Sequence, residues 1–112
     1  DCASTNAGAY AVPPEVTGVA FTNRTTLSWD PAQLGAGSGT VADVLRGSAD
    51  MRVGTGAEAC LASGITGNSV VDATTPAPGT AFRYLVRGRN VCGLGTYGMA
   101  SDGTPRTSMA CP

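Results

Sequence analysis

The stretch AFRYLVRGRN, residues 81–90, sets Phe82, Tyr84 and Val86 at alternate positions, with Arg83, Leu85 and Arg87 between them. A period of two with aromatic and β-branched residues in one phase is what a half-buried strand requires, because successive side chains point to opposite faces. Upstream, TTLSWD (25–30) repeats the pattern, with Leu27 and Trp29 on one side and Thr26 and Ser28 on the other, and Pro31 ends it. Working outward, strand character is expected over 15–22, 40–46, 51–53, 68–72 and 96–102, and Pro13-Pro14 fixes an extended lead-in to the first of these. Turn formers separate them: Asn23-Arg24, the glycine-rich 32–39, 47–50, TTPAPGT (74–80) and 92–95. The segment 54–67, with four glycines, reads as a long loop anchored by Cys60 and Leu61. Seven short strands spaced by turns, with no helical period, predict an all-β fold, an antiparallel sandwich.

Composition supports one small domain. The chain has 112 residues, 16 Gly, 7 Pro and a net charge of -1. Leu, Ile, Val and Phe supply only 19 residues, so the core is thin. All seven basic residues are Arg, with no Lys and no His, which excludes a basic nucleic-acid footprint. Without His or Lys there is no imidazole to activate a nucleophile and no Schiff-base amine. The eight acids are scattered singly rather than paired as a glycosidase needs, so no catalytic activity and no cofactor are expected.

Cysteines stand at 2, 60, 92 and 111, without a C-x-x-C motif and without His to complete a zinc set, so disulfides rather than metal ligation are expected. Cross-links suit a thin core in an oxidising compartment, so the protein is expected to be secreted or surface-exposed. The chain opens on Asp1 and contains no apolar run near 18 residues. That predicts no membrane insertion and a signal segment already removed.

The succession of Pro13-Pro14, LSWDP (27–31), PGTAF (78–82) leading into YLVRGRN (84–90), then a glycine-rich turn and Tyr97, resembles the fibronectin type III domain over residues 13–106. The resemblance implies a seven-stranded immunoglobulin-like sandwich with strands A, B and E facing C, C′, F and G. Trp29 is then central, in a core with Leu27, Phe82, Tyr84 and Val86. Residues 1–12 become an N-terminal arm and 107–112 a tail. In the implied topology the loops bearing Cys60 and Cys92 share a pole, so these two are expected to pair, leaving Cys2 and Cys111 to bond within or between subunits. Phe82 falls where the family places its corner tyrosine, so that hydroxyl bond is expected to be missing. The four cysteines and the Arg-only, Ala-rich composition look more like bacterial surface or secreted relatives than animal members.

Several motifs have plain structural readings. GLGTYG (93–98) satisfies G-x-G-x-x-G but opens no helix, so it reads as a turn. Arg46-Gly47-Ser48 and Arg87-Gly88-Arg89 fall at strand ends and lack the Asp of an adhesion tripeptide. Asn23-Arg24-Thr25 is a glycosylation acceptor pattern, read as a turn. Arg83, Arg87 and Arg89 share a face expected to be solvated, with Leu85 as an exposed contact residue among them. The expected function is a non-catalytic extracellular structural or adhesive module. It would assemble head to tail through the arm, with Tyr10, Val12 and Leu85 as contacts, and its partners would be copies of itself or extracellular matrix and surface proteins. The alternative is a spacer or accessory domain of a secreted carbohydrate-active enzyme.

Overall fold

The computed structural model describes residues 11–31, 36–48, 58–98, 103–106, 108 and 110–111. These form an all-β structure of strands β1 (Ala20–Phe21), β2 (Thr26–Ser28), β3 (Val41–Ser48), β4 (Ala59–Ile65), β5 (Ser69–Val71), β6 (Phe82–Asn90) and β7 (Gly93–Leu94). They make two antiparallel sheets, one of three strands in the order β1-β2-β5 and one of four in the order β4-β3-β6-β7. The Asn23 carboxamide oxygen turns the chain between β1 and β2 by accepting the N–H groups of Thr25 and Thr26, each at 2.9 Å.

The longest ladder joins β3 to β6, from Val41 opposite Arg89 to Ser48 opposite Phe82. It sets Val44 opposite Val86 and Leu45 opposite Leu85, so the period of two in both strands sorts their side chains identically. Ala42, Val44 and Val86 join Leu27, Trp29 and Val16 in the core between the sheets, with Tyr84, Leu61, Ile65 and Val70 packed against it. Leu45 points the other way. There it forms a second buried cluster with Tyr97 and Cys111, against which Cys60, Leu85 and Ala110 pack. The four-stranded sheet is therefore covered on both faces at this point, and the outer cover includes residues of the chain's C-terminal end.

The approach to β1 is also fixed. Pro13 is buried, and the Asn90 carboxamide donates to the carbonyl of Ala11 (3.0 Å) and the hydroxyl of Thr40 (3.1 Å). Backbones pass so closely here that a Cβ on Gly95 would stand 2.8 Å from the Gly88 carbonyl oxygen and 2.9 Å from that of Pro13. Beyond β7 the strap returns on itself, the Tyr97 N–H donating to Arg106 O and the Arg106 N–H to Gly98 O.

Three expectations are corrected. Residues 59–65, read as loop, are strand β4; ACLASGI has few β-branched residues, and its pairing with β3 supplies what local propensity does not. Of the last strand, expected over 96–102, residues 96–98 are not strand and 99–102 lie outside the described residues; the last strand among the described residues is Gly93–Leu94. The expected Cys60–Cys92 pair is replaced by Cys60–Cys111, with Cα atoms 4.8 Å apart. Cys60 sits not in a polar loop but on β4 opposite Leu45, level with Leu85 of β6. Cys92 lies seven residues further along that direction, about 23 Å at 3.3 Å per residue, far beyond the roughly 7 Å that a disulfide spans. Cys92 is itself disulfide-bonded. Cys2, Tyr10 and the expected strand at 51–53 lie outside the described residues.

Candidate functional site

Where the β1–β2 turn meets the chain leading into β6, a cavity of about 240 Å³ opens to solvent. Phe21, Phe82 and Tyr84 wall it, Arg24 and Pro76 stand at its sides, and Asp72 lies within it. The rings meet edge to face, Phe21 and Tyr84 with centroids 5.1 Å apart and Phe82 and Tyr84 6.3 Å apart. The Arg46 guanidinium covers the Phe82 ring at 4.7 Å.

Asp72, buried at the end of β5, binds this corner together. Its two oxygens accept Arg46 Nη1 at 3.0 Å each, one also takes the Thr74 N–H at 3.0 Å, and the other the Tyr84 hydroxyl at 2.7 Å. Burial opposes its ionisation, but the Tyr84, Thr74 and Arg46 donors outweigh it and hold the carboxyl far below its ordinary range. Burial and the bond to Asp72 push the Tyr84 hydroxyl up to about 12. Phe82 offers no hydroxyl, as the sequence implied, but Tyr84, two residues on, supplies one to a side-chain carboxylate.

A second carboxylate lies on the opposite face of the four-stranded sheet. Asp43 is fully buried and accepts Arg87 Nε (2.9 Å), Arg89 Nε (3.0 Å), the Ser63 hydroxyl (3.0 Å) and the Gly64 N–H (3.1 Å). Burial would raise its pKa; the Arg89, Gly64, Arg87 and Ser63 bonds reverse this, and the net shift is downward. Arg87 is 4% exposed, donates to the Cys111 carbonyl at 3.2 Å and lies 4.9 Å over the Tyr97 ring. The face expected to be solvated is thus covered at Arg87, because a carboxylate on β3 and a carbonyl of the C-terminal segment satisfy that guanidinium. Asp43 was the readable signal: an acid inside the apolar run VADVL, in the phase opposite to Val44, needs a cationic partner on the neighbouring strand.

Leu27, Trp29 and Val86 are buried in the main core, Tyr84 packs on it, and Phe82 is half-buried at the cavity. Leu85 is half-buried in the second cluster and so is not the exposed contact expected of it. Val12 is 48% exposed, and near it Val91 and Leu94 are 70% and 58% exposed. Val91 and Leu94 lie on either side of Gly93 at the β6–β7 turn, where a Cβ on Gly93 would stand 3.3 Å from Val12 Cγ2, while Leu94, opposite Arg89 in the ladder, stands on the other face of the sheet. Arg46-Gly47-Ser48 lies within β3 and Arg87-Gly88-Arg89 within β6, neither on a displayed loop. Among the described residues no group of three His, Cys, Asp or Glu could hold a metal ion, and no helix is long and apolar enough to cross a membrane. No protein-family model, no curated protein and no solved structure matches the chain.

Proposed function

We propose that this chain is a non-catalytic extracellular structural module of the fibronectin type III kind, one that assembles head to tail into a surface filament through the end bearing Val12. The order β1-β2-β5 against β4-β3-β6-β7 supports the fold assignment, since it corresponds to A-B-E against C′-C-F-G. The Cys60–Cys111 disulfide favours an oxidising compartment. Both buried carboxylates, Asp43 and Asp72, are engaged by arginines in ion pairs that brace the sheets, which favours a structural over a catalytic use of the acids.

The observation that carries the assembly is the exposure of Val12, Val91 and Leu94 around the β6–β7 turn. This turn lies at the finish of β6, about 30 Å by strand rise from the cavity at its start. A contact between unlike ends does not close on itself and propagates. The spacer reading is less well served, because a spacer's ends should be dispensable and here Pro13 and Cys111 are both buried. Light scattering across a concentration series tests the proposal. The chain should form elongating oligomers that Val91→Asp, at a well-exposed turn position, reduces to monomers with an unchanged melting temperature. A native chain that stays monomeric at millimolar concentration overturns it.

A further inference from the structure

The cavity at the start of β6 has a chemistry of its own, separate from the β6–β7 turn. Its polar groups are almost all committed. Asp72 accepts four hydrogen bonds, the one Tyr84 hydroxyl proton goes to Asp72, and the Thr80 hydroxyl donates to the Ala77 carbonyl at 2.6 Å. Arg46 neutralises Asp72 from behind. Arg24 differs: it is exposed and makes no hydrogen bond or ion pair with any described residue. The cavity therefore offers three aromatic rings as walls and one uncompensated cation at the side.

We infer that this cavity binds an aromatic carboxylate, its ring held between Phe21, Phe82 and Tyr84 and its acid group on the Arg24 guanidinium. A cation would meet Arg24 and find Asp72, the only carboxylate among the described lining residues, already saturated. A polyol would bring hydroxyls for which few partners remain, each costing its desolvation. An apolar ring needs none, stacks or meets the walls edge on, and leaves its carboxylate for the two-pronged bond at which arginine excels. Size agrees. Cavities of about 150 Å³ take up benzene and drug-sized ligands need upwards of about 300 Å³, so 240 Å³ suits one ring with a short acidic arm.

Such a group is carried by a free aromatic acid or by the C-terminal aromatic residue of a peptide. Titrating the full chain with 3-phenylpropionate, 3-phenylpropionamide and propionate, followed by amide and aromatic NMR shifts, tests the inference. Saturable shifts centred on Phe21, Phe82 and Tyr84 are expected, with the acid about tenfold tighter than its amide, as for a hydrogen bond to a charged group, and propionate silent. Arg24→Gln alters a side chain that braces nothing described, so the fold should persist while the acid loses its tenfold advantage. The peptide Ala-Ala-Phe, compared with 3-phenylpropionate, assigns the source: tighter binding points to a peptide terminus, weaker binding to the free acid, and both support the site. Absence of saturable shifts overturns the inference. So does equal affinity for acid and amide, or an advantage that survives in Arg24→Gln. None of these outcomes depends on whether the chain assembles.

Discussion

Tyr84 and Tyr97 are the same residue in two opposite situations. Burial pushes both hydroxyls up to about 12. The Tyr84 hydroxyl donates to Asp72 at 2.7 Å, whereas the Tyr97 hydroxyl is buried with no hydrogen-bond partner among the described residues. Removing a partner from a buried charged acceptor costs about 1–3 kcal/mol, and removing an unsatisfied hydroxyl costs nothing or stabilises. Tyr84→Phe is therefore expected to lower the unfolding free energy by about 2 kcal/mol. Tyr97→Phe, which keeps the ring under Arg87, should leave it unchanged or raise it. Urea unfolding of the two variants checks this, and an equal loss in both would show that ring packing, not the hydroxyl, distinguishes the sites. Trp29 was legible from LSWD alone: an alternating strand with one large aromatic in its apolar phase puts that ring inward, and it is 3% exposed. The Asp72 corner was not legible, because it joins residues 46, 72 and 84, which no local pattern links.

At the scale of elements, what could be read followed the strength of local signals. Ala42 and Val44 of β3 share one phase with Tyr84 and Val86 of β6, and the ladder sets Val44 opposite Val86. β4 was missed because ACLASGI is written in small residues, and because its pairing with β3 is irregular, with register shifts on both sides of Val44. The C-terminal segment was missed for another reason: nothing in a short polar stretch announces that its cysteine will cross the sheet to Cys60. That disulfide holds Cys111 over Arg87 and Leu45, so it fastens the outer cover to the sheet. Its sequence separation of 51 residues predicts about 4 kcal/mol from restricting the unfolded chain. The double variant Cys60→Ala, Cys111→Ala should lose about that much in denaturant unfolding, and Arg87 should become reactive to an arginine-directed reagent as its cover loosens. A loss below about 1 kcal/mol would mean that the cluster of Leu45, Tyr97 and Leu85 holds the segment without the bond.

For the molecule as a whole, the charge inventory fixes a pH profile. The sequence contains no His, and no cysteine among the described residues is free, so among these residues no side chain with an ordinary pKa between about 5 and 9 remains to titrate. The groups that folding perturbs lie outside that window on both sides. Asp43 and Asp72 have their pKa lowered by folding, so the stability they contribute is complete above the unfolded carboxylate value near 4 and is lost progressively as pH falls below it. Tyr84 and Tyr97 are raised from 10 to about 12, so folding favours their neutral forms. Their contribution is complete below pH 10 and is lost as pH climbs from there through 12. The melting temperature should therefore be flat from about pH 5 to 9, fall on the acid side below about 4 and fall on the alkaline side above about 10. The acid fall should be steep, since two buried carboxylates lose five charged or neutral side-chain donors between them: Arg46 and Tyr84 at one, Arg87, Arg89 and Ser63 at the other. Scanning calorimetry in a series of buffers reads the profile directly. A slope between pH 6 and 8 would require a perturbed group that the two carboxylates and two tyrosines do not supply. A flat acid limb down to pH 2 would mean that Asp43 and Asp72 keep their arginines without contributing to the balance between folded and unfolded chain.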